Sequence, residues 1–162
     1  MHIKRPTSAS PTGSKDGFTL VELLIVVVIL AILAVIAIPF VHGHQEDAEA
    51  RVFVTNLRHA CDQFNLYRME EGEYPPDTTP GIIPAGMADR LASLKWTSPT
   101  PITGQWDWDY KQYHFTAGVS VFKPNRDANA IAERVDAIID DGDLSTGGFR
   151  SRVDGYIQAV EF

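Results

Sequence analysis

Cysteine is almost absent from this chain, since Cys61 is the single cysteine among 162 residues. No disulfide can form within the chain, so the fold must hold together without covalent cross-links. The sequence also lacks a P-loop and the G-x-S-x-G, H-E-x-x-H and C-x-x-C patterns that accompany hydrolytic, zinc or redox chemistry. With no catalytic motif present, we expect a protein that is not an enzyme.

An excess of positive charge is missing as well. The formal net charge is −7, and residues 1–17 carry +2, which leaves −9 for residues 18–162. The +2 comes from Lys4, Arg5 and Lys15 against Asp16. Proteins bind nucleic acid largely through lysine and arginine contacts to phosphate. We therefore expect no nucleic-acid partner.

Charge of either sign is missing from one long stretch. Residues 23–41 are 19 uncharged residues, which as a helix would span about 29 Å, the thickness of a bilayer core. Basic residues precede this stretch, and acidic residues follow it at Glu46, Asp47 and Glu49. The positive-inside rule predicts a single membrane pass with a cytoplasmic N-terminus and an exported body.

A carboxylate stands at the start of this apolar stretch. Glu22 lies five residues after Gly17 and directly before the uncharged run. A charge at the bilayer centre costs on the order of 2.5 to 3.5 kcal/mol, and less near an interface, so such a residue normally has a partner. An ordinary uncleaved signal anchor remains an alternative, but it gives no reason for the charge.

The stretch "GFTLVELLIVVVILAILAVIAIP" resembles the N-terminal signature of type IV pilins and of type II secretion pseudopilins. The resemblance covers residues 17–41 closely and residues 57–77 more loosely. It implies that a membrane peptidase cuts after Gly17, that Phe18 is then N-methylated, and that residues 1–17 are a cleavable leader. It further implies that partners are the prepilin peptidase and methyltransferase, other pilin or pseudopilin subunits, and an inner-membrane assembly platform.

Cleavage after Gly17 would give Glu22 a partner. The new amine on Phe18 would lie about one and a half helical turns away, and in apolar surroundings an amine and a carboxylate attract strongly. We interpret Glu22 as the assembly determinant, paired within one chain or between neighbours. Pro39 removes a helical hydrogen bond and predicts a kink in the same helix, although it could instead end the membrane segment.

The remainder of the sequence predicts a compact head. Residues 18–41 would be the transmembrane and assembly helix, and residues 42–72 its amphipathic continuation, ended by Gly72. Residues 73–162 would form a periplasmic head. The apolar face of the continuation recurs every three or four residues at Ala50, Phe53, Leu57, Ala60 or Cys61, Phe64 and Tyr67. The fold class is therefore α+β: a long N-terminal helix packed on a small antiparallel sheet, in a pilin-like arrangement.

Two runs in the head alternate with a period of two, which is typical of half-buried strands. In "QWDWDY" Trp106, Trp108 and Tyr110 alternate with Asp107 and Asp109, and "HFTAGVSVF" follows the same period. We interpret the aromatic row as core, with a ligand-binding surface as the alternative. A helix over "RDANAIAERVDAIIDD" and a closing strand in "DGYIQAVEF" complete the prediction.

The sharpest polar cluster is "DAIIDDGDLSTGG". Calcium could be held by Asp140, Asp141 and Asp143, since carboxylates suit this ion, and the resemblance implies a calcium site in the C-terminal loop of some relatives. The EF-hand pattern fails, however, because the twelfth position from Asp141 is Arg152 and not glutamate. The alternative is a helix capped by Gly142, with Arg150 and Arg152 neutralising the acids.

Two classes of function fit these features. The first is a structural subunit of a pilus-like filament, most simply a type II secretion pseudopilin that later leaves the inner membrane for a periplasmic filament. A type IV pilin for adhesion, motility or DNA uptake, in an extracellular filament, is its near alternative. The second class is a non-polymerising, membrane-anchored binding module whose ligand face would be the Trp106 and Trp108 strand.

Overall fold

A computed structural model describes residues 17–112, 114–123 and 128–162, without the side chains of residues 36–44. Of the predicted leader, residues 1–17, all but Gly17 lies outside this part of the chain. The described chain is α+β, as expected, and the chain divides between Phe40 and Val41 into two compact units. The helix α1 (Leu20–Glu71) carries the apolar stretch in the first unit and the amphipathic continuation in the second.

The second part of α1 packs through the face that the sequence predicts. Ala50, Phe53, Leu57, Ala60 and Phe64 are each at most 1% exposed. Cys61 lies half-buried at the edge of this face, and burial raises the pKa of its thiol to about 12. Gly72 follows the helix with φ +86°, and its N–H donates to the Arg68 carbonyl at 2.8 Å. A glycine in this left-handed conformation ends the helix as expected.

Four antiparallel strands form one sheet in the order β1-β2-β4-β3. These are β1 (Gln105–Tyr110), β2 (Ala117–Phe122), β3 (Phe149–Arg152) and β4 (Gly155–Glu161). The second helix, α2 (Ala128–Ile139), lies between β2 and β3 in the chain. The sequence predicts three of these strands and α2, but it does not predict β3. The extra helix therefore precedes a closing hairpin rather than a single strand.

The aromatic row of β1 is core, as we interpreted it from the sequence. Trp106 and Trp108 are 1% and 0% exposed. Phe53 stacks on Trp106 with ring centroids 5.2 Å apart, and Phe64 stacks on Trp108 at 3.7 Å. The Trp108 indole N–H also donates to the Pro75 carbonyl at 3.0 Å. The side of β1 that carries the tryptophans is therefore the one that faces α1.

Chain segments outside the sheet cover both of its edge strands. On the β1 side, Gly81 N donates to the Trp106 carbonyl at 2.8 Å, and Tyr110 N donates to Asp77 Oδ1 at 2.9 Å. On the β3 side, Ser151 N donates to the Leu144 carbonyl at 2.8 Å. Each bond occupies a group that an open edge would offer to another strand.

Candidate assembly site

The chain around Gly17 is open and accessible. Residues 17–19 precede α1 without regular secondary structure, and all three are exposed. A β-carbon built on Gly17 would meet no other atom within 4 Å. The fold described here therefore does not itself require glycine at this position. A requirement for glycine would have to come from another molecule that binds this segment.

Glu22 takes part in a capping box at the start of α1. Its Oε2 accepts from the Thr19 backbone N–H at 2.9 Å and from Thr19 Oγ1 at 2.8 Å. In return, Thr19 Oγ1 accepts from the Glu22 N–H at 3.2 Å. This reciprocal pattern satisfies donors at a helix N-terminus that would otherwise lack partners. The signal for it, T-x-x-E, is present in the sequence, but our interpretation of Glu22 overlooked Thr19.

The first unit exposes its apolar side chains on every side of the helix. Each large apolar residue from Phe18 to Val35 is at least 49% exposed, and Phe18 and Leu20 exceed 80%. A helix that is apolar all round normally lies in a membrane or among other helices. Exposed apolar surface of this extent marks an interaction site, so this segment requires a covering that the described residues do not supply.

No helix long and apolar enough to cross a membrane is found among the residues and side chains that the structure describes. Pro39 falls within the bounds of α1, which runs from Leu20 to Glu71. The side chain of Pro39 lies outside the described part, so the kink at this position stays a prediction.

A buried cluster of charges lies on the other side of the sheet. Arg152 Nη1 donates to both oxygens of Asp109 at 2.8 and 2.9 Å, and Nη2 donates to Asp107 Oδ2 at 2.9 Å. The three side chains are only 4% to 6% exposed. Ser120 adds a hydrogen bond to Asp109 at 2.5 Å. The alternation correctly predicts that both aspartate side chains lie on the face of β1 opposite the tryptophans. In a half-buried strand that face would be exposed to solvent, and this expectation is wrong.

The pKa values of both aspartates are raised. Burial, and then the neighbouring Asp109 carboxylate, raises the pKa of Asp107 to about 6, although Arg152 opposes this shift. Burial also raises the pKa of Asp109, against the hydrogen bond from Ser120 and the charge of Arg152. Asp107 Oδ1 is buried and has no hydrogen-bond partner among the described residues. The cluster therefore holds more negative charge than its single guanidinium can neutralise.

The acidic loop after α2 uses its carboxylates to build turns. Asp141 accepts from the Asp143 N–H at 2.9 Å and from the Thr146 hydroxyl at 2.9 Å. Asp143 accepts from Ser145 N and Oγ at 3.0 and 2.6 Å, and Asp140 accepts from Gly148 N at 2.7 Å. These bonds lower the pKa of Asp141 and of Asp143.

The same loop does not gather its acids for a metal. Within the described ranges, no group of three or more histidine, cysteine, aspartate or glutamate side chains is placed to hold a metal ion. Calcium binding by Asp140, Asp141 and Asp143 therefore finds no support in the geometry and stays a prediction. Gly142 adopts φ +85° beyond the end of α2, in agreement with the capping alternative.

The arginines do not neutralise this loop, which corrects our second expectation for it. Arg152 pairs with Asp107 and Asp109 on the sheet, and Arg150 Nε donates to the Gly147 carbonyl. Asp136, in the last turn of α2, is 0% exposed, and its two oxygens have no hydrogen-bond partner among the described residues. Burial, with a further effect of the Asp141 charge, raises the pKa of Asp136.

Comparison with known proteins supports the interpretation of the N-terminal segment. The family model described as the prokaryotic N-terminal methylation motif matches residues 13–38. Type II secretion system core protein G of Dickeya chrysanthemi is 34% identical over 59 residues, which are 36% of this chain and 39% of that protein. No solved structure matches. With this motif ahead of a long helix that packs on a small antiparallel sheet, these findings support a pilin-like protein of the pseudopilin and type IV pilin kind.

Proposed function

We propose that this chain is a non-catalytic structural subunit of a pilus-like filament. A prepilin peptidase would cut it after Gly17, and methylation would follow on Phe18. The new N-terminus would lie in the cytoplasm, a single helix would cross the inner membrane, and the head would lie in the periplasm. An assembly platform in the inner membrane would then move the subunit into the filament through its N-terminal helix.

One observation carries this proposal. Directly after an accessible glycine, α1 exposes apolar side chains on all sides, and the one charged residue from Phe18 to Val35 is Glu22. A membrane anchor alone needs the apolar surface but not the carboxylate, because a charge makes insertion less favourable. An assembly of identical helices can use both, since a buried charge pair fixes register where leucine and isoleucine contacts do not.

A type II secretion pseudopilus is the first choice among such filaments. The likeness to a type II secretion core protein favours it, although the match covers 39% of that relative. The single cysteine agrees with this choice, since the resemblance implies a C-terminal disulfide in many type IV pilins. A type IV pilin remains the second choice, and the partners and secreted proteins would differ between the two.

The anchored binding module loses its main support. Its ligand face would be the tryptophan row of β1, but Trp106 and Trp108 are buried against α1. The side chains that alternate with this row, Asp107 and Asp109, are also buried and engage Arg152. The two tryptophans therefore offer no open aromatic surface to a ligand.

The mature N-terminus is the first experiment. Mass spectrometry of the membrane-purified protein should show a chain that begins at N-methylated Phe18, because the Gly17–Phe18 bond is exposed and the motif is present. A chain that still starts at Met1 in cells containing an active prepilin peptidase would contradict processing. Such a result would favour the uncleaved anchor.

A matched pair of variants then separates the two roles of Glu22. Glu22→Gln keeps a group that can serve in a capping box but removes the charge, whereas Thr19→Ala removes the cap and keeps the charge. We expect Glu22→Gln to insert and be processed but to lower filament yield at least about tenfold, since an unpaired buried amine costs more than 1.4 kcal/mol. Thr19→Ala should assemble.

Yield is measured by electron microscopy and by shearing of filaments from cells, with processing checked by mass spectrometry in each strain. Assembly lost in Thr19→Ala but kept in Glu22→Gln would show that the cap, and not the charge, is required. Normal filaments from both variants would contradict a role for Glu22 in filament assembly.

A further inference from the structure

A cleft of about 450 Å³ lies on the side of the sheet away from α1. Its lining includes the aromatic residues Phe115 and Phe162, the arginines Arg150 and Arg152, and Val153. Phe162 is 70% exposed and Val153 is 91% exposed. Aromatic and arginine side chains are the residues most enriched at the energetic centres of protein interfaces. A cleft of this composition is typical of a surface that binds another protein rather than one that stays covered by solvent.

The guanidinium of Arg150 is positioned for a negative group. It lies 5.5 Å from the Phe115 ring centroid and 5.4 Å from that of Phe162, while these two centroids are 5.7 Å apart. Among the described residues it has no carboxylate partner, whereas Arg68, Arg90 and Arg134 each form an ion pair. The two rings hold the guanidinium in place and leave its charge available to a carboxylate.

The chain has a matching acidic segment. α1 ends at Glu71, and the left-handed Gly72 turns the chain before Glu73. Both carboxylates are exposed, and neither takes part in an ion pair among the described residues. Since residues 18–162 carry a net charge of −9, two copies repel one another unless a positive site on one meets an acidic site on the other.

We propose that the cleft around Arg150 binds the acidic turn Glu71–Glu73 of a second copy of this chain. The two surfaces differ, so the contact is heterologous and does not close on itself, as an open filament requires. This inference rests on the proposed function, because it assigns a contact between heads within the same assembly.

Cross-linking of the full chain in detergent tests the contact. One chain carries Val153→Cys and the other carries Glu73→Cys, which leaves Glu71 as the carboxylate, and both carry Cys61→Ser. Under mild oxidation, the mixture should give a disulfide-linked pair that neither chain gives alone. Arg150→Gln in the first chain should lower its yield at least fivefold, and the control Lys95→Gln, an equal loss of charge at an exposed loop residue, should not.

Charge reversal distinguishes a contact from damage to the fold. Arg150→Glu should prevent the cross-link, and Glu71→Lys on the other chain should restore it. No cross-link in the mixture, a yield insensitive to Arg150→Gln, or a cross-link from the Val153→Cys chain alone would overturn the proposal. Filaments without the cross-link would contradict this contact but not the proposed function. The cross-link without filaments would support the contact between two copies and contradict the proposed function.

Discussion

At the scale of single residues, the Asp107, Asp109 and Arg152 cluster is the clearest departure from a simple core. Two carboxylates share one guanidinium at side-chain exposures of 4% to 6%. A buried ion pair recovers its cost of desolvation only when each charge is compensated. Here Asp109 accepts two hydrogen bonds from Arg152 and another from Ser120, whereas one oxygen of Asp107 has no hydrogen-bond partner in the described part of the chain. Asp107 is therefore the less favourable member.

Asp107 should make stability depend on pH. Its pKa is raised to about 6 in the folded chain, so the folded state holds this proton more tightly than the unfolded state, where the pKa is about 3.9. Stability from this group is greatest below about pH 4 and is lost as the pH rises through about 6. Asp107→Asn should remove that loss and raise stability at pH 7 by on the order of 1 to 3 kcal/mol, measured by thermal unfolding at several pH values.

Asp109→Asn is the matched control for this prediction. It removes the partner that binds Arg152 through both oxygens, but the pKa of Asp109 is raised as well and Arg152 keeps Asp107 as a partner. The chain with Asp109→Asn should therefore have a free energy of unfolding at pH 7 that is about 1.5 to 3 kcal/mol lower than that of the chain with Asp107→Asn, because it loses the hydrogen bonds to a charged group. If the two variants had the same free energy of unfolding at pH 7, Asp107 and Asp109 would be equal partners of Arg152. The raised pKa would then be the wrong description of the cluster.

The sequence predicts the direction of these residues but not their environment. Period-two alternation predicts that the side chains of Asp107 and Trp106 lie on opposite faces of the strand, and the structure confirms it. The burial of Asp107 and Asp109 depends on Arg152, which lies more than forty positions away in a strand that the sequence does not reveal. Local pattern carries no information about such a partner.

At the scale of elements, the loop from Asp140 to Gly148 is held by its own side chains. Gly147 adopts φ +70°, and a β-carbon there would lie 1.8 Å from Asp140 Oδ2. Asp140 could avoid this clash only by giving up the hydrogen bond from Gly148 N, which measures 2.7 Å. The glycine and the carboxylate therefore depend on each other.

Gly147→Ala should lower the free energy of unfolding by about 2 to 4 kcal/mol, from backbone strain and the lost hydrogen bond together. Gly142→Ala is the matched control, because φ is also positive there but its nearest contact is an ordinary 3.5 Å to Ala137. It should cost only about 1 kcal/mol. Equal costs in chemical denaturation would show that the Asp140 contact contributes nothing.

The elements differ in how far sequence predicts them. The apolar face of α1 and the two alternating strands carry their own periodic signal, and the structure confirms them. β3 has the sequence FRSR, with a single apolar residue, Phe149. It is a strand because it pairs with β4, with Phe149 opposite Gln158. A strand defined by its neighbour has little periodic signal of its own.

At the scale of the whole molecule, a substitution that impairs membrane insertion of the first unit should not change the stability of the second. Ile32 lies near the middle of the apolar stretch and is 59% exposed. Ile32→Arg should disfavour insertion by roughly 2.5 to 3.5 kcal/mol, seen as loss of the protein from carbonate-washed membranes. The unfolding midpoint of the head should stay unchanged, since Ile32 belongs to the other unit.

Ile32→Leu is the matched control and should behave as the unmodified chain. Retention of Ile32→Arg in washed membranes at the normal level would contradict a bilayer-spanning role for this segment. A lowered midpoint for the head would contradict the division of the chain between Phe40 and Val41. The two measurements therefore test the membrane prediction and the division separately.

The capping box at the start of α1 also bears on the order of events in the precursor. Before the proposed cleavage, residue 18 contributes an amide and no charge, and Thr19 holds the Glu22 carboxylate through two donors. The carboxylate thus has a local partner before processing creates an amine. Cleavage would then begin an exchange of partners, in which the amine competes with a neutral threonine for the same oxygens. Under the proposed function, Thr19 would act as a temporary ligand that a stronger one displaces, and the Glu22 carboxylate would have a partner both before and after cleavage.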